Sequence, residues 1–188
     1  MEKPTFGEVK ELVIRELQTS LNSICEAEVE RLIQLILGAD KVFFVGVGRV
    51  SLSLQAIAKR WAHLGIVTHI VGEITEPAIT PNDVLIVGSG SGTTIFPTGI
   101  AKKAHSIGAR VIHIGSNPNS ELRTLSECMV RIPVRTKCYL EDEIDSQQPM
   151  SSLFEQTLLL LGDIIAKMII ELKQLDMKNL WQYHANLE

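Results

Sequence analysis

Cysteine is scarce in this chain. Cys25, Cys128 and Cys138 are the only three among 188 residues. They are widely spaced, odd in number and form no C-x-x-C pair, so a disulfide framework is not expected and free thiols in a reducing cytoplasm are. Positive charge is not in excess either. Eighteen Lys and Arg face 22 Asp and Glu, a formal net charge of −4, which argues against a nucleic-acid partner. No long apolar run is free of charge: "SLFEQTLLLLGDIIAKMIIEL" carries Glu155, Asp163, Lys167 and Glu171, so a helix buried in protein is expected there and no membrane partner. The opening "MEKPTFGEVKEL" has no apolar core of the kind a signal peptide needs. No low-complexity linker divides the chain, and no internal repeat is visible.

What is present is a 45% hydrophobic composition, enough for one domain with its own core. Residues 5–38 read as two helices broken near "SLNS", with apolar residues at three- and four-residue intervals. The texture then changes to short apolar runs alternating with helices: "KVFFVGVG", "IVTHIVG", "NDVLIVGSGSG", "ARVIHIGS" and "CMVRIPV". Between them lie helices over 50–65, stopped by Gly65, and from Thr93 onward, stopped by Gly108. A short one follows over "NSELRTLS", and a long one runs from Ser151 to Leu175. Runs with little alternation predict strands buried on both faces, and strand–helix alternation predicts a parallel sheet between helices. The expectation is one α/β domain over 1–188: an N-terminal helical extension over 1–38, then a sheet core and a long C-terminal helix over 39–188.

Ligands of open parallel sheets bind beyond the carboxyl ends of the strands. At such an end stands "GSGSGTT", where Ser89, Gly90, Ser91, Gly92, Thr93 and Thr94 are all glycine, serine or threonine. Glycines admit close approach, the helix that follows offers unpaired N–H groups, and the hydroxyls add neutral donors. That combination suits a phosphate group. A plain helix cap is the competing reading, though one hydroxyl would suffice for it. No G-K-[ST] follows, and no lysine occurs between Lys59 and Lys102, so this is not a triphosphate-binding loop and a small-molecule monophosphate fits better. A second glycine loop, "GVGRVS", ends the first strand. It is an incomplete dinucleotide fingerprint, and a nucleotide reading would need Glu73 as the ribose-binding acid. As the other wall of the same cleft it places Gly48, Arg49 and Ser51 beside a ligand. Arg49 then either meets an anion or is a surface arginine at a helix start.

"GVGRVS", "RWAHLG", "VGEITEPAI", "DVLIVGSGSGTT", "NPNSELRTLSE", "IPVRTK", "QPMSSLFEQ" and "HANLE" together resemble the sugar isomerase (SIS) domain family, and within it the 6-phospho-3-hexuloisomerases. The last two segments are the most specific, and the likeness spans nearly the whole chain. It implies a flavodoxin-like, three-layer αβα sandwich around a five-stranded parallel sheet. It also implies a homo-oligomer, dimer or tetramer, with active sites near subunit contacts, and no metal or organic cofactor. The implied reaction interconverts D-arabino-3-hexulose 6-phosphate and D-fructose 6-phosphate, after formaldehyde fixation on ribulose 5-phosphate. Ser89, Ser91 and Thr94 take the place of the phosphate cradle, and Glu155 that of the catalytic base. The chain departs from the family pattern at Val50, Ser51, Ile74, Glu76, Thr93 and Ser151, all near the expected cleft.

Moving a carbonyl between neighbouring carbons needs a base that shuttles a proton through an enediol. For Glu155 the competing reading is structural: "SLFE" is a capping-box pattern with Ser152 as N-cap. His63 and His184 are the alternative shuttles, since imidazole titrates near neutrality. Packing is the plainer role for His63, whereas His184 lies on a terminal segment expected to reach a neighbouring subunit's cleft. His69, His105 and His113 make no special claim. Arg60 and Lys137 are further candidate substrate contacts, and Trp61 and Trp181 read as core or interface residues. Two other functions stay open: an aldose–ketose isomerase acting on another phosphosugar, and a non-catalytic sugar-phosphate sensor.

Overall fold

A computed structural model describes residues 3–187. Met1, Glu2 and Glu188, which belong to the charged N-terminal stretch and to "HANLE", lie outside the described residues. Helix α1 spans Phe6–Asn22 and α2 Glu26–Leu37. Thr5 starts α1 with a reciprocal cap: its Oγ1 accepts from Glu8 N at 3.3 Å, and Glu8 Oε2 accepts from Thr5 N at 2.7 Å. The acids Glu26 and Glu28 open α2, where the helix dipole favours them.

Strands β1 (Val42–Val45), β2 (Thr68–Ile70), β3 (Val84–Gly88), β4 (Arg110–Gly115) and β5 (Cys128–Arg131) form one all-parallel sheet in the order β2-β1-β3-β4-β5. Helices α3 (Gly48–Ala62), α4 (Ile95–Ile107), α5 (Glu121–Leu125) and α6 (Ser152–Leu172) make the connections or close the chain. The pleat sorts the apolar runs to two faces. Val42, Phe44, Ile86, Ile112 and Val130 pack under α2, α3 and α6. Phe43, Val45, Leu85, Val87 and Val111 pack against Ala101 and Ala104 of α4 and Leu122 of α5. The result is the expected three-layer α/β sandwich. Each fully buried Leu, Ile or Phe contributes about 1.5–3 kcal/mol, so both layers are held chiefly by apolar burial. Trp61 is the largest of the fully buried side chains. Its Nε1 donates to the Gly162 carbonyl at 3.0 Å, where α3 and α6 approach so closely that a Cβ at Gly162 would overlap Ile57.

Several helix ends differ from expectation; α4 begins at Ile95, two residues after Thr93. Helix α3 begins at Gly48, two residues early, because Gly48 takes φ +59 and turns the chain directly off β1. The same helix ends at Ala62, before Gly65. Helix α6 stops at Leu172 rather than Leu175, where Gln174 adopts φ +51 and Leu175 N bonds back to the Ile170 carbonyl. A 3-10 helix, Asn179–Tyr183, follows. Cys25, Cys128 and Cys138 are free thiols, and burial raises the Cys128 thiol to about 11. Among the described residues no helix is long and apolar enough to cross a membrane.

Candidate functional site

The strand order reverses direction between β1 and β3, the topological switch point at which open parallel sheets leave a crevice. The two loops singled out in the sequence both leave the sheet there. Gly46–Val50 leads from β1 into α3, and Ser89–Thr94 leads from β3 into α4. They touch where Val50 Cγ1 closes over Gly88.

The serine loop is folded onto itself through its hydroxyls. Ser89 Oγ lies 3.2 Å from Thr94 Oγ1 and accepts from Gly92 N at 3.1 Å. Ser91 Oγ accepts from Thr93 Oγ1 at 3.2 Å and from Thr93 N at 3.4 Å, leaving its own hydrogen to donate. Ser89 and Ser91 are buried. Thr94 is the N-cap residue of α4, yet its side chain makes no bond to the helix. The first N–H groups of a 13-residue helix thus keep their affinity for an anion. Gly92 holds the turn at φ +64, a conformation open to glycine, and a Cβ there would overlap Ser120.

Residues distant in sequence brace this loop. His113 is fully buried on β4 and places Nε2 2.8 Å from the Ser89 carbonyl. A carbonyl only accepts, so Nε2 carries a proton. Burial lowers the His113 imidazole to about 4. The Gly90 carbonyl accepts from Ser116 N and Asn117 N at 2.9 and 3.1 Å. Glu143, in the β5–α6 connection, accepts from Ser116 Oγ at 2.7 Å, Thr136 Oγ1 at 3.0 Å, Thr136 N at 3.2 Å and Leu140 N at 3.0 Å. None of these bracing residues was singled out in the sequence. For His113 the one available signal is an imidazole inside an apolar strand, and for Glu143 there is none.

Glu155 is buried near the start of α6. The competing capping-box reading does not hold here. Ser151, not Ser152, is the N-cap, and it makes no side-chain cap bond. The Glu155 carboxylate is turned to other partners. Its Oε2 pairs with Arg49 Nε, its Oε1 accepts from Ser151 Oγ at 2.9 Å, and its carbonyl accepts from Ser53 Oγ at 3.0 Å. Ser51 sits one turn into α3 with its hydroxyl accepting from Gln55 Nε2 at 3.1 Å. Glu73, the acid of the nucleotide reading, is exposed and turns back toward its own loop at Ile70 N.

His63 and His184 are not beside these groups within one chain. Helix α3 carries His63 fourteen residues beyond Arg49, roughly 20 Å at the helical rise. There the two imidazoles stack at 5.3 Å between centroids. With Arg60, Asp163, Lys167 and Trp181 they line a cavity of about 400 Å³. Burial, then the Lys59 and Arg60 charges, lowers the His63 imidazole below its usual range. Lys137 is exposed next to buried Thr136, on the serine-loop side.

Residues 35–162 match the model of the SIS domain. The chain belongs to the SIS domain family. Within it, the chain is 37% identical over 94% of its length to a Bacillus subtilis 3-hexulose-6-phosphate isomerase, covering 95% of that protein. A Mycobacterium gastri 3-hexulose-6-phosphate isomerase is 35% identical over 94% of this chain and 88% of its own. A crystal structure of a Methanococcus jannaschii hypothetical protein superposes with a TM-score of 0.82 at 29% identity, over 96% of this chain and 99% of that one. For that protein the structure was taken to infer a molecular function of 3-hexulose-6-phosphate isomerase.

Proposed function

We propose that this chain is a phosphosugar isomerase interconverting D-arabino-3-hexulose 6-phosphate and D-fructose 6-phosphate. One observation carries the reading. At a single sheet switch point, a hydroxyl-lined, uncapped helix N-terminus stands beside a buried carboxylate paired with arginine. The phosphate sits against Ser89, Ser91 and Thr94, with the glycines at 90 and 92 shaping the loop around it and Thr93, Gly48 and Ser51 at the rim. Glu155 removes the proton on carbon 2 of the 3-hexulose, and the electron pair forms the 2,3-enediol. Return of the proton to carbon 3 gives the 2-ketose. Arg49 meets the anionic substrate. A second copy of the chain, in a dimer or larger homo-oligomer, brings His63 and His184 to the cleft as shuttle partners for the sugar oxygens. The cytoplasm suits the three free thiols.

The test is proton NMR of fructose 6-phosphate incubated with the protein in D₂O. Deuterium at carbon 3, with a new 3-hexulose signal, is the expected outcome. Deuterium at carbon 1 identifies an aldose–ketose isomerase instead. No exchange, with a ligand-induced rise in melting temperature, identifies a sensor.

A further inference from the structure

We infer that Ser151 is a positioning residue that holds the Glu155 carboxylate for proton transfer; the inference rests on the reading of Glu155 as the base. Serine at an N-cap ordinarily accepts from the N–H groups of the first turn. Ser151 does not: its backbone sits at φ −103, ψ 26, and its hydroxyl donates instead to Glu155 Oε1 at 2.9 Å. The Ser151 carbonyl also accepts from Glu155 N at 3.0 Å, so one residue grips the glutamate by main chain and side chain.

The chain before Ser151 is built to deliver it. Met150 adopts φ +55 although its side chain is almost wholly exposed, so no packing of its own repays that strained conformation. Just upstream, buried Glu16 of α1 accepts from Gln147 N at 2.8 Å, Ser146 Oγ at 2.7 Å and Gln148 Nε2 at 3.0 Å. These bonds fix the segment that carries the strained turn.

The second holder of the carboxylate is of a different kind. The Arg49 side chain is 65% exposed and free to turn to a substrate anion, which a guanidinium matches well. When it does, Oε2 is released to take the carbon-bound proton, and Ser151 still fixes Oε1. Among the described residues Arg49 of α3 is the one charged group recorded against this carboxylate. Helix α1, also packed on α6, offers Ser20 to Thr157 at 2.9 Å and commits Glu16 to the 146–148 segment.

The experiment compares the parent protein with Ser151→Ala, Ser151→Thr and Glu155→Gln, by kcat and KM. Loss of a hydrogen bond to a charged group lowers kcat about tenfold in Ser151→Ala. KM stays near the parent value, and Ser151→Thr, which keeps the hydroxyl, restores kcat. Parental kcat in Ser151→Ala, with Glu155→Gln inactive, overturns the role of Ser151 alone. Parental turnover in Glu155→Gln overturns the base assignment, and the inference with it.

Discussion

At the scale of single residues, the serine loop and its hidden support are governed by different physics. The loop's hydroxyls act locally, within five residues of one another. His113 acts from another strand, and its influence is set by burial. Its folded value of about 4 lies below the ordinary 6.5, so the unfolded chain binds more protons between those values. Stability from this group is therefore present at neutral pH and is lost as pH falls from 6.5 toward 4, by roughly 3 kcal/mol. His113→Gln keeps a donor for the Ser89 carbonyl and removes the titration. Urea unfolding at pH 7 and pH 5 is expected to show a smaller acid loss in the variant than in the parent; equal losses would assign the acid sensitivity to other groups. The loop was legible in the sequence because six small residues stand together after an apolar run. His113 was not, because only the pairing of β3 with β4 brings it beneath Ser89.

At the scale of elements, the strands were the most legible part. Four of the five are centred on an apolar run of buried residues, and β2, Thr68–Ile70, lies inside the run "IVTHIVG". Helix ends were less so, and the β5–α6 connection was not readable at all. That connection is irregular, apart from one bridge between Val134 and Ile144, and it is ordered by two carboxylates. Glu16 fixes its end and Glu143 its middle. Neither lies in a recognisable motif: Glu16 binds residues 146–148 from the far end of the chain, and Glu143 joins Thr136 and Leu140 of its own connection to the distant Ser116. Glu143 links Ser116, which holds the Gly90 carbonyl, to Thr136, whose Cγ2 packs against Gly90. Glu143→Ala strips four accepted hydrogen bonds from this junction. A loss of about 2 kcal/mol in unfolding free energy is expected. The loosened loop is expected to bind phosphate several-fold more weakly, a loss on the order of 1 kcal/mol. Denaturant titration and displacement by inorganic phosphate check the two effects separately. A destabilised variant with parental phosphate affinity would confine Glu143 to a structural role.

At the scale of the whole molecule, the parallel packing of α3 on α6 decides what one copy can do. Ser53 meets Glu155 near the start of both helices, and Trp61 meets Gly162 further along. The same parallel run that seats Glu155 beside Arg49 carries His63 away from it. The expected helix over 50–65 already set His63 at the far end from Arg49, but only the parallel packing of α6 shows that Glu155 lies at the Arg49 end. If His63 serves catalysis, its partner Glu155 belongs to another copy, and this is open to direct test. Glu155→Gln and His63→Ala are prepared separately, mixed, unfolded and refolded together. In a symmetric dimer with shared sites, half of the molecules are mixed, and each mixed molecule has one site with both residues intact, so about a quarter of parental turnover returns. If each site is built within one chain, every site in every mixture lacks one residue. The mixture then stays as inactive as its parents, and the shared site is overturned; a His63→Ala protein that turns over on its own assigns His63 and His184 to the packing of the C-terminal segment rather than to the reaction.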